Sequence, residues 1–182
     1  GVIEGGLIIF AAGNEYAPLA AYPGAYKDFV CVASIGPDGR PAPYSNYGTP
    51  SGSQNMITAP GGDGEGSRNE KTLILSTMPT SATDDDPTAI GGSSYGYMEG
   101  TSMACPHISG VAALGLSYAA KLRKHYRAED FQKMLLASVT PIDDILNGGV
   151  KETVGKAYMG LYASVGTLVS IDKDALSLAN VD

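Results

Sequence analysis

The residues best suited to chemistry lie between Gly100 and Gly110, in the run Gly-Thr-Ser-Met-Ala-Cys-Pro-His-Ile-Ser-Gly. A glycine turn leads into a hydroxyl pair, Thr101 and Ser102. An apolar stretch then continues through Val111-Ala112-Ala113-Leu114-Gly115-Leu116. Either hydroxyl suits an N-cap, and Pro106 falls early, where a missing N–H costs least, so a helix is expected to begin here. The stretch is apolar on nearly all sides, which predicts a buried helix rather than an amphipathic one. Ser102 then sits at the positive end of the helix dipole, beside free backbone N–H groups. Negative charge developing next to its hydroxyl is stabilised there, as attack on a carbonyl requires. The plainer alternative is a serine that only caps a core helix.

A serine hydroxyl is a poor nucleophile at neutral pH and needs a general base, usually a histidine steered by a carboxylate. The chain has two histidines, His107 and His125. His107 follows Ser102 by five residues, about 7–8 Å along a helix axis and on a different face. It reads as a buried, hydrogen-bonded core histidine. His125 closes the basic cluster Lys121-Leu122-Arg123-Lys124-His125 and is expected to be exposed at the far end of the helix. Position 105 is Cys rather than Lys, so a Ser-Lys dyad of the S-x-x-K kind is absent. A lipase-like elbow wants G-x-S-x-G, but position 104 is Ala, and no aspartate-then-histidine pair follows.

The elements that would position the serine come next. Gly6 to Ala12 is a short, fully apolar run of the kind buried on both faces of a parallel sheet, and it ends in the turn Gly13-Asn14. Phe29 to Ile35 is a second such strand. Their connector holds Pro18, Pro23 and Gly24 without a helical period, which suits a binding loop as well as a plain surface loop. Gly36-Pro37-Asp38-Gly39 is a turn, and Ser45 to Ser53 is turn-rich. Met56–Ala59 and Leu73–Ser76 are short strand candidates flanking a glycine-rich loop over 61–70. Thr80 to Tyr97 reads as a polar loop. Its Asp84-Asp85-Asp86 lacks the glycine and distal glutamate of a calcium loop and reads as a solvated tip. Gly91 and Gly96 have phosphate-loop spacing, but Tyr97 stands where the lysine belongs. The main helix is expected over about Ser102–Leu122 and a second over about Ala128–Ser138, stopping before Pro141. Residues 142–156 read as loop, and a last helix is expected near 172–178.

Gly100 to Gly110 closely resembles the nucleophile motif of the subtilases, the subtilisin-like serine proteases. Leu7-Ile8-Ile9-Phe10-Ala11-Ala12-Gly13-Asn14 resembles that family's strand ending in its oxyanion asparagine. Between them Tyr22-Pro23-Gly24-Ala25-Tyr26, Tyr44-Ser45-Asn46-Tyr47-Gly48, Ala59-Pro60-Gly61 and Leu75-Ser76-Thr77 fall in the family's order. The resemblance implies an α/β fold, the C-terminal half of a subtilisin-like parallel-sheet, three-layer domain. Residues 1–182 would then be one partial peptidase domain. It implies Ser102 as nucleophile and Asn14 as the amide that donates to the tetrahedral oxyanion, with the Ser102 N–H as second donor. It implies Ala12, Gly13, Tyr22 and Gly24, with Gly100 and Thr101, as substrate-binding positions, the first four walling the pocket for the residue before the cleaved bond. A small pocket floor at Ala21 suggests apolar side chains. Gly24, Tyr26 and Phe29 fall where some family members bind a cation through backbone carbonyls, but no metal is assigned, and no cofactor.

In that family the catalytic order is Asp, His, Ser. Only 13 residues precede Asn14, none of them His or Asp. The base and its carboxylate are therefore expected on polypeptide upstream of this chain, whether the chain is an expressed or proteolytic fragment or one subunit of a two-chain enzyme. The alternative is a non-catalytic subtilase-like binding or structural module. The expected partners are a protein or peptide substrate and the N-terminal remainder of the domain. Half a parallel sheet would leave an open strand edge and uncovered apolar helix surface, so the isolated chain is expected to self-associate or be marginally stable.

Composition narrows the field further. The 182 residues are 43% hydrophobic and 17% charged, which describes a globular chain with a real core. A net charge of −7 without an extended basic patch argues against nucleic acid. No apolar run approaches the roughly 18 residues a membrane span needs. The N-terminal Gly-Val-Ile-Glu is no signal peptide, and the resemblance alone favours secretion or the cell envelope. Cys31 and Cys105 sit in apolar settings and read as reduced core thiols without zinc-ligand spacing to either histidine.

Overall fold

The computed structural model describes residues 2–47, 55–64, 72–79, 94–141 and 166–168. The expected acidic tip at 84–86, the loop over 142–156 and the last helix near 172–178 lie outside the described residues, as does most of the glycine-rich loop over 61–70. In chain order the elements are β1 (Ile3–Glu4), β2 (Ile9–Ala11), β3 (Val30–Ile35), β4 (Asn55–Pro60), β5 (Ile74–Thr77), β6 (Tyr95–Met98), α1 (Thr101–Lys121), β7 (Tyr126–Arg127), α2 (Ala128–Ala137), β8 (Val139–Pro141) and β9 (Gly166–Leu168).

The organising sheet runs β2-β3-β4-β9-β8. Its first four strands are parallel, with Phe10 opposite Cys31 and Cys31 opposite Met56, and β8 closes it antiparallel to β9. All six residues of β3 are buried, as its unbroken Val-Cys-Val-Ala-Ser-Ile run requires of a central strand. Alternation divides the sheet's two faces. Val30, Val32, Ile57 and Ala59 meet Ala104, Ile108 and Ala112 of α1 and Phe131, Met134 and Leu135 of α2. Cys31, Ala33, Ile35 and Met56 face the other way, toward Ala12, Ala20 and Tyr47 from the strand end and loops. Helices thus cover one face, and connecting segments cover the second among the described residues.

The α1 helix corrects one expectation. It is not buried all round. Its buried residues, Thr101, Ala104, Ile108, Ala112, Gly115 and Ala119, form one stripe of small side chains pressed on the sheet. On the outer side Leu114 is 72% exposed, and Tyr118 and Leu122 are exposed too. The apolar sequence lets this helix be buried anywhere, but among the described residues a neighbour stands on one side only. Helix α2 matches its expected span to within a residue. Phe131, Met134 and Leu135 are buried, and Glu129 and Asp130 complement the dipole in its first turn.

Three strand expectations need adjustment. The run from Gly6 forms a strand only over Ile9–Ala11, and that strand is half-buried rather than covered on both faces. It pairs with β3 alone among the described residues, so it lies at the sheet's border. The strand expected at Leu73–Ser76 appears as β5, but in a separate antiparallel ribbon. Its partner β6 lies in what reads from sequence as polar loop. Tyr95 and Tyr97 favour a strand, but Gly96 and the glycine- and serine-rich run before them weaken the signal, and the segment pairs with β5 along its length.

Both cysteines are free thiols. Cys31 is buried on β3, and burial pushes its pKa up to about 12. The half-buried Cys105 Sγ donates to the Ile9 carbonyl at 3.7 Å, and burial raises its pKa as well.

Candidate active site

The site forms where the C-terminal ends of β2 and β4 meet the N-terminus of α1, the end of a parallel sheet at which strand termini and loops converge. After β4, the Gly61 carbonyl accepts the Gly100 N–H at 2.9 Å. Gly100, with φ +144°, makes the turn into the helix in a backbone region few side chains tolerate. Gly100 is the N-cap, and no side chain caps the helix. The expectation of Thr101 or Ser102 as cap is therefore corrected: Thr101 is the first helical residue, and its hydroxyl is used elsewhere.

That use ties the helix to the strand end. The Thr101 hydroxyl, 1% exposed, donates to Asn14 Oδ1 at 2.9 Å and accepts the Gly13 N–H at 3.1 Å. The Thr101 N–H donates to the same Asn14 oxygen at 2.9 Å. Both lone pairs of Asn14 Oδ1 are thereby filled, which fixes the amide's orientation and leaves its NH₂ without an acceptor among the described residues. Three of the first four helical N–H groups are also satisfied. Thr101 bonds Asn14, while Met103 and Ala104 bond the Gly100 carbonyl at 2.9 and 3.2 Å. The N–H of Ser102 has no acceptor among the described residues. The Ser102 side chain is exposed beside it. One corner thus holds an exposed hydroxyl with two unpaired donors on either side of Thr101.

Behind this corner lies Asn46, 2% exposed. Its Oδ1 accepts the N–H groups of Glu15 (3.0 Å) and Ala17 (2.8 Å). Its Nδ2 donates to the Ala12 carbonyl (3.0 Å) and Glu15 Oε2 (2.6 Å), and its own N–H donates to the Gly13 carbonyl at 3.0 Å. Gly13, at φ +102°, has no room for a Cβ, which would strike Asn46 Nδ2. On the helix side, Tyr44 Oη lies 2.8 Å from Ser34 Oγ and 3.0 and 2.6 Å from the carbonyl oxygens of Gly61 and Gly62. Burial raises its pKa, and the hydrogen bond to Ser34 opposes the shift.

Neither imidazole belongs to this corner. His107 is exposed, not buried as expected, and its Nδ1 lies 2.8 Å from the Met103 carbonyl oxygen one turn earlier. Five residues around the helix take it past the buried stripe to the outer side. His125 is exposed as expected, beyond the end of a helix of 21 residues, about 30 Å long. Among the described residues no three His, Cys, Asp or Glu side chains are grouped to hold a metal ion. No helix among them is long and apolar enough to cross a membrane.

A model of the subtilase family matches residues 2–157. The chain belongs to the subtilase family. It is 32% identical over 163 residues to an extracellular basic protease of Dichelobacter nodosus, covering 89% of this chain and 24% of that protein. It is 36% identical over 125 residues to halolysin of Haloferax mediterranei, covering 66% of this chain and 19% of that protein. Among solved structures it superposes on the prenylagaramide maturation protease PagA with a TM-score of 0.65 at 26% identity, covering 96% of this chain and 51% of PagA. A lanthipeptide protease gives 0.66 at 25% identity, with 96% and 51% covered. The fold is thus α/β of the subtilisin-like kind, in a family of serine peptidases, and the chain spans about a quarter of the first of these relatives and half of the solved domains.

The positions singled out from the subtilase motifs fall as follows. Asn14, Gly13, Gly100, Thr101 and Ser102 meet in the one corner. Ala12 is fully buried, with its carbonyl taken by Asn46 and by the Ala21 N–H at 2.7 Å. Gly24 is buried against the Ala11 carbonyl, where a Cβ would come within 2.8 Å of the oxygen. Tyr22 is 79% exposed on the same loop. Asn46 and Tyr44 were legible only as part of a stretch in the subtilase order. Nothing in a polar residue's type marks it as the hub of a buried network.

Proposed function

We propose that this chain is the nucleophile and oxyanion-hole half of a subtilisin-like serine endopeptidase domain. The observation that carries the reading is a pair of donors without an acceptor among the described residues, Asn14 Nδ2 and the Ser102 N–H, brought to one helix start by the Thr101–Asn14 hydrogen bonds beside the exposed Ser102 side chain. Ser102 Oγ attacks the scissile carbonyl carbon, its proton passes to a base, and the carbonyl oxygen becomes an oxyanion held by those two donors. Collapse expels the amine, which takes the proton, and leaves an acyl-enzyme on Ser102. Water then adds, and loss of the serine completes hydrolysis. Ala12, Gly13, Tyr22, Gly24, Gly100 and Thr101 form the substrate side. Tyr22 and Gly13 supply surface, and the buried Ala12, Gly24 and Thr101 hold that surface in place.

The base and its carboxylate come from polypeptide outside these 182 residues. His107 Nδ1 is engaged with the Met103 carbonyl and His125 lies beyond the far end of α1, which supports this part of the reading. The same fact favours the second reading, a subtilase-like module without turnover. A fluorophosphonate probe separates them. Ser102 is expected to be labelled in the complete polypeptide that contains this chain and left essentially unlabelled in residues 1–182 alone. Robust labelling of the chain alone would overturn the claim of a missing base. No labelling in either form would favour the non-catalytic module.

A further inference from the structure

We propose that Asn46 is a positioning residue for the oxyanion hole, acting through the segment that carries Asn14. This rests on reading Asn14 as the oxyanion donor. The side-chain amide of Asn46 is completely used: two acceptor bonds from Glu15 and Ala17 and two donor bonds to Ala12 and the Glu15 carboxylate. With the backbone bond from its own N–H to the Gly13 carbonyl, a single buried residue touches the chain at positions 12, 13, 15 and 17. Asn14 and Tyr16 are the two residues of this stretch it does not touch; Tyr16 is held by Tyr44 instead, and Asn14 by Thr101.

The two ends of the turn are therefore clamped from different sides. Asn46 holds the backbone on either side of Asn14, and Thr101 holds the Asn14 side-chain oxygen and the Gly13 N–H. Tyr16, inside the clamped stretch, sits at φ +53° and takes its backbone acceptor from Tyr44 at 2.9 Å. A non-glycine residue keeps that conformation only where its surroundings enforce it. Without Asn46 the turn loses four hydrogen bonds and the backbone half of the clamp that sets how far Asn14 Nδ2 stands from the Ser102 N–H, leaving only the Thr101 bonds. An oxyanion donor works only when it is aimed before the charge appears. The loss should thus fall on the chemical step and spare substrate binding.

The test is a double-mutant cycle of Asn46→Ala and Asn14→Ala in the complete peptidase, with kcat normalised to sites titrated by an active-site probe. Removing an oxyanion donor from a subtilisin lowers kcat by about 10²–10³-fold, and Asn14→Ala is expected to do the same. Asn46→Ala is expected to lower kcat by about tenfold or more with KM within about twofold, and to add less than about twofold in the Asn14→Ala background. Asn46→Ser keeps a small polar group at the site without setting a buried charge against the Ala12 carbonyl and the Glu15 carboxylate, and covers the case in which the alanine variant does not fold. It is expected to fall between wild type and Asn46→Ala. A loss that is equally large in both backgrounds, or that appears in KM alone, would overturn the positioning role and leave the oxyanion assignment standing. An Asn14→Ala enzyme with unchanged kcat would instead remove the oxyanion assignment, and this proposal with it.

Discussion

Two regions of α1 invite comparison, its first turn and its outer face. At the first turn almost every polar atom is committed. Thr101 has bonds to Gly13 and Asn14, Gly100 to Gly61, and Met103 and Ala104 back to Gly100. Among the described residues, the few groups left open are the Ser102 hydroxyl, the Ser102 N–H and the Asn14 NH₂. Along the outer face the opposite holds. Leu114, Tyr118 and Leu122, spaced four residues apart, form an apolar stripe exposed along the helix. The first region has open polar groups in a rigid frame, which suits a ligand that arrives and leaves. The second has open apolar surface, which suits a partner that stays. On the proposed reading the substrate occupies the one and the remainder of the domain the other.

The sharpest way to separate them is Ser102→Ala. The side chain is exposed and has no hydrogen-bond partner among the described residues, so its loss should change stability by no more than about 0.5 kcal/mol. In the complete enzyme the same change should remove turnover almost entirely, on the order of the 10⁶-fold drop in kcat that a subtilisin suffers on losing its serine. Thermal melting of the chain and hydrolysis by the complete enzyme measure the two halves. A large drop in melting temperature would show that Ser102 belongs to the frame, not to the open groups.

That frame was only partly legible in the sequence. The β3 strand was readable because a run of apolar residues bounded by turns has few other uses, and α2 because Phe131, Met134 and Leu135 repeat at helical spacing. The motif residues Ser102 and Asn14 were readable through the subtilase resemblance, which also joins two segments 88 residues apart. Their stitching by Thr101 was not, because a threonine beside a helix start serves equally well as a cap. Asn46 was hidden for a related reason. Its four side-chain bonds reach positions 29 to 34 residues away, and no local pattern encodes contacts of that range. The exposure of His107 and Leu114 is not legible because apolar composition says what a helix face tolerates, not whether a neighbour is there to cover it.

On the sheet face turned away from α1, Cys31 offers a test through pH. Burial raises its thiol from 9.0 to about 12 in the folded protein. A raised folded pKa means that the unfolded chain ionises first. The stabilisation is fully present below pH 9 and is lost as pH climbs from 9 toward 12. Three pKa steps correspond to a loss on the order of 4 kcal/mol at the top of that window. Cys31→Ala or Cys31→Val should flatten the alkaline limb of a stability profile measured by urea unfolding. An unchanged limb would show that some other buried acid, Tyr44 included, dominates alkaline unfolding.

The smallest effect is expected at Leu114, and there context decides the sign of the argument. In residues 1–182 alone, Leu114→Ser removes a side chain that is 72% exposed, so stability should stay within about 0.5 kcal/mol. Self-association, read by light scattering as a function of concentration, should weaken because the apolar stripe is broken. In the complete polypeptide the same substitution should cost more, toward the roughly 2–5 kcal/mol of a buried leucine truncation, if further chain packs over the stripe. Equal, near-zero effects in both contexts would mean that nothing covers this face and that the stripe is ordinary solvent-facing surface. A large cost in the isolated chain would mean that copies of the chain already cover it, and the concentration dependence of melting would then show an obligate oligomer. The contrast between the two contexts therefore measures the covering directly, which no substitution at the first turn of the helix can do.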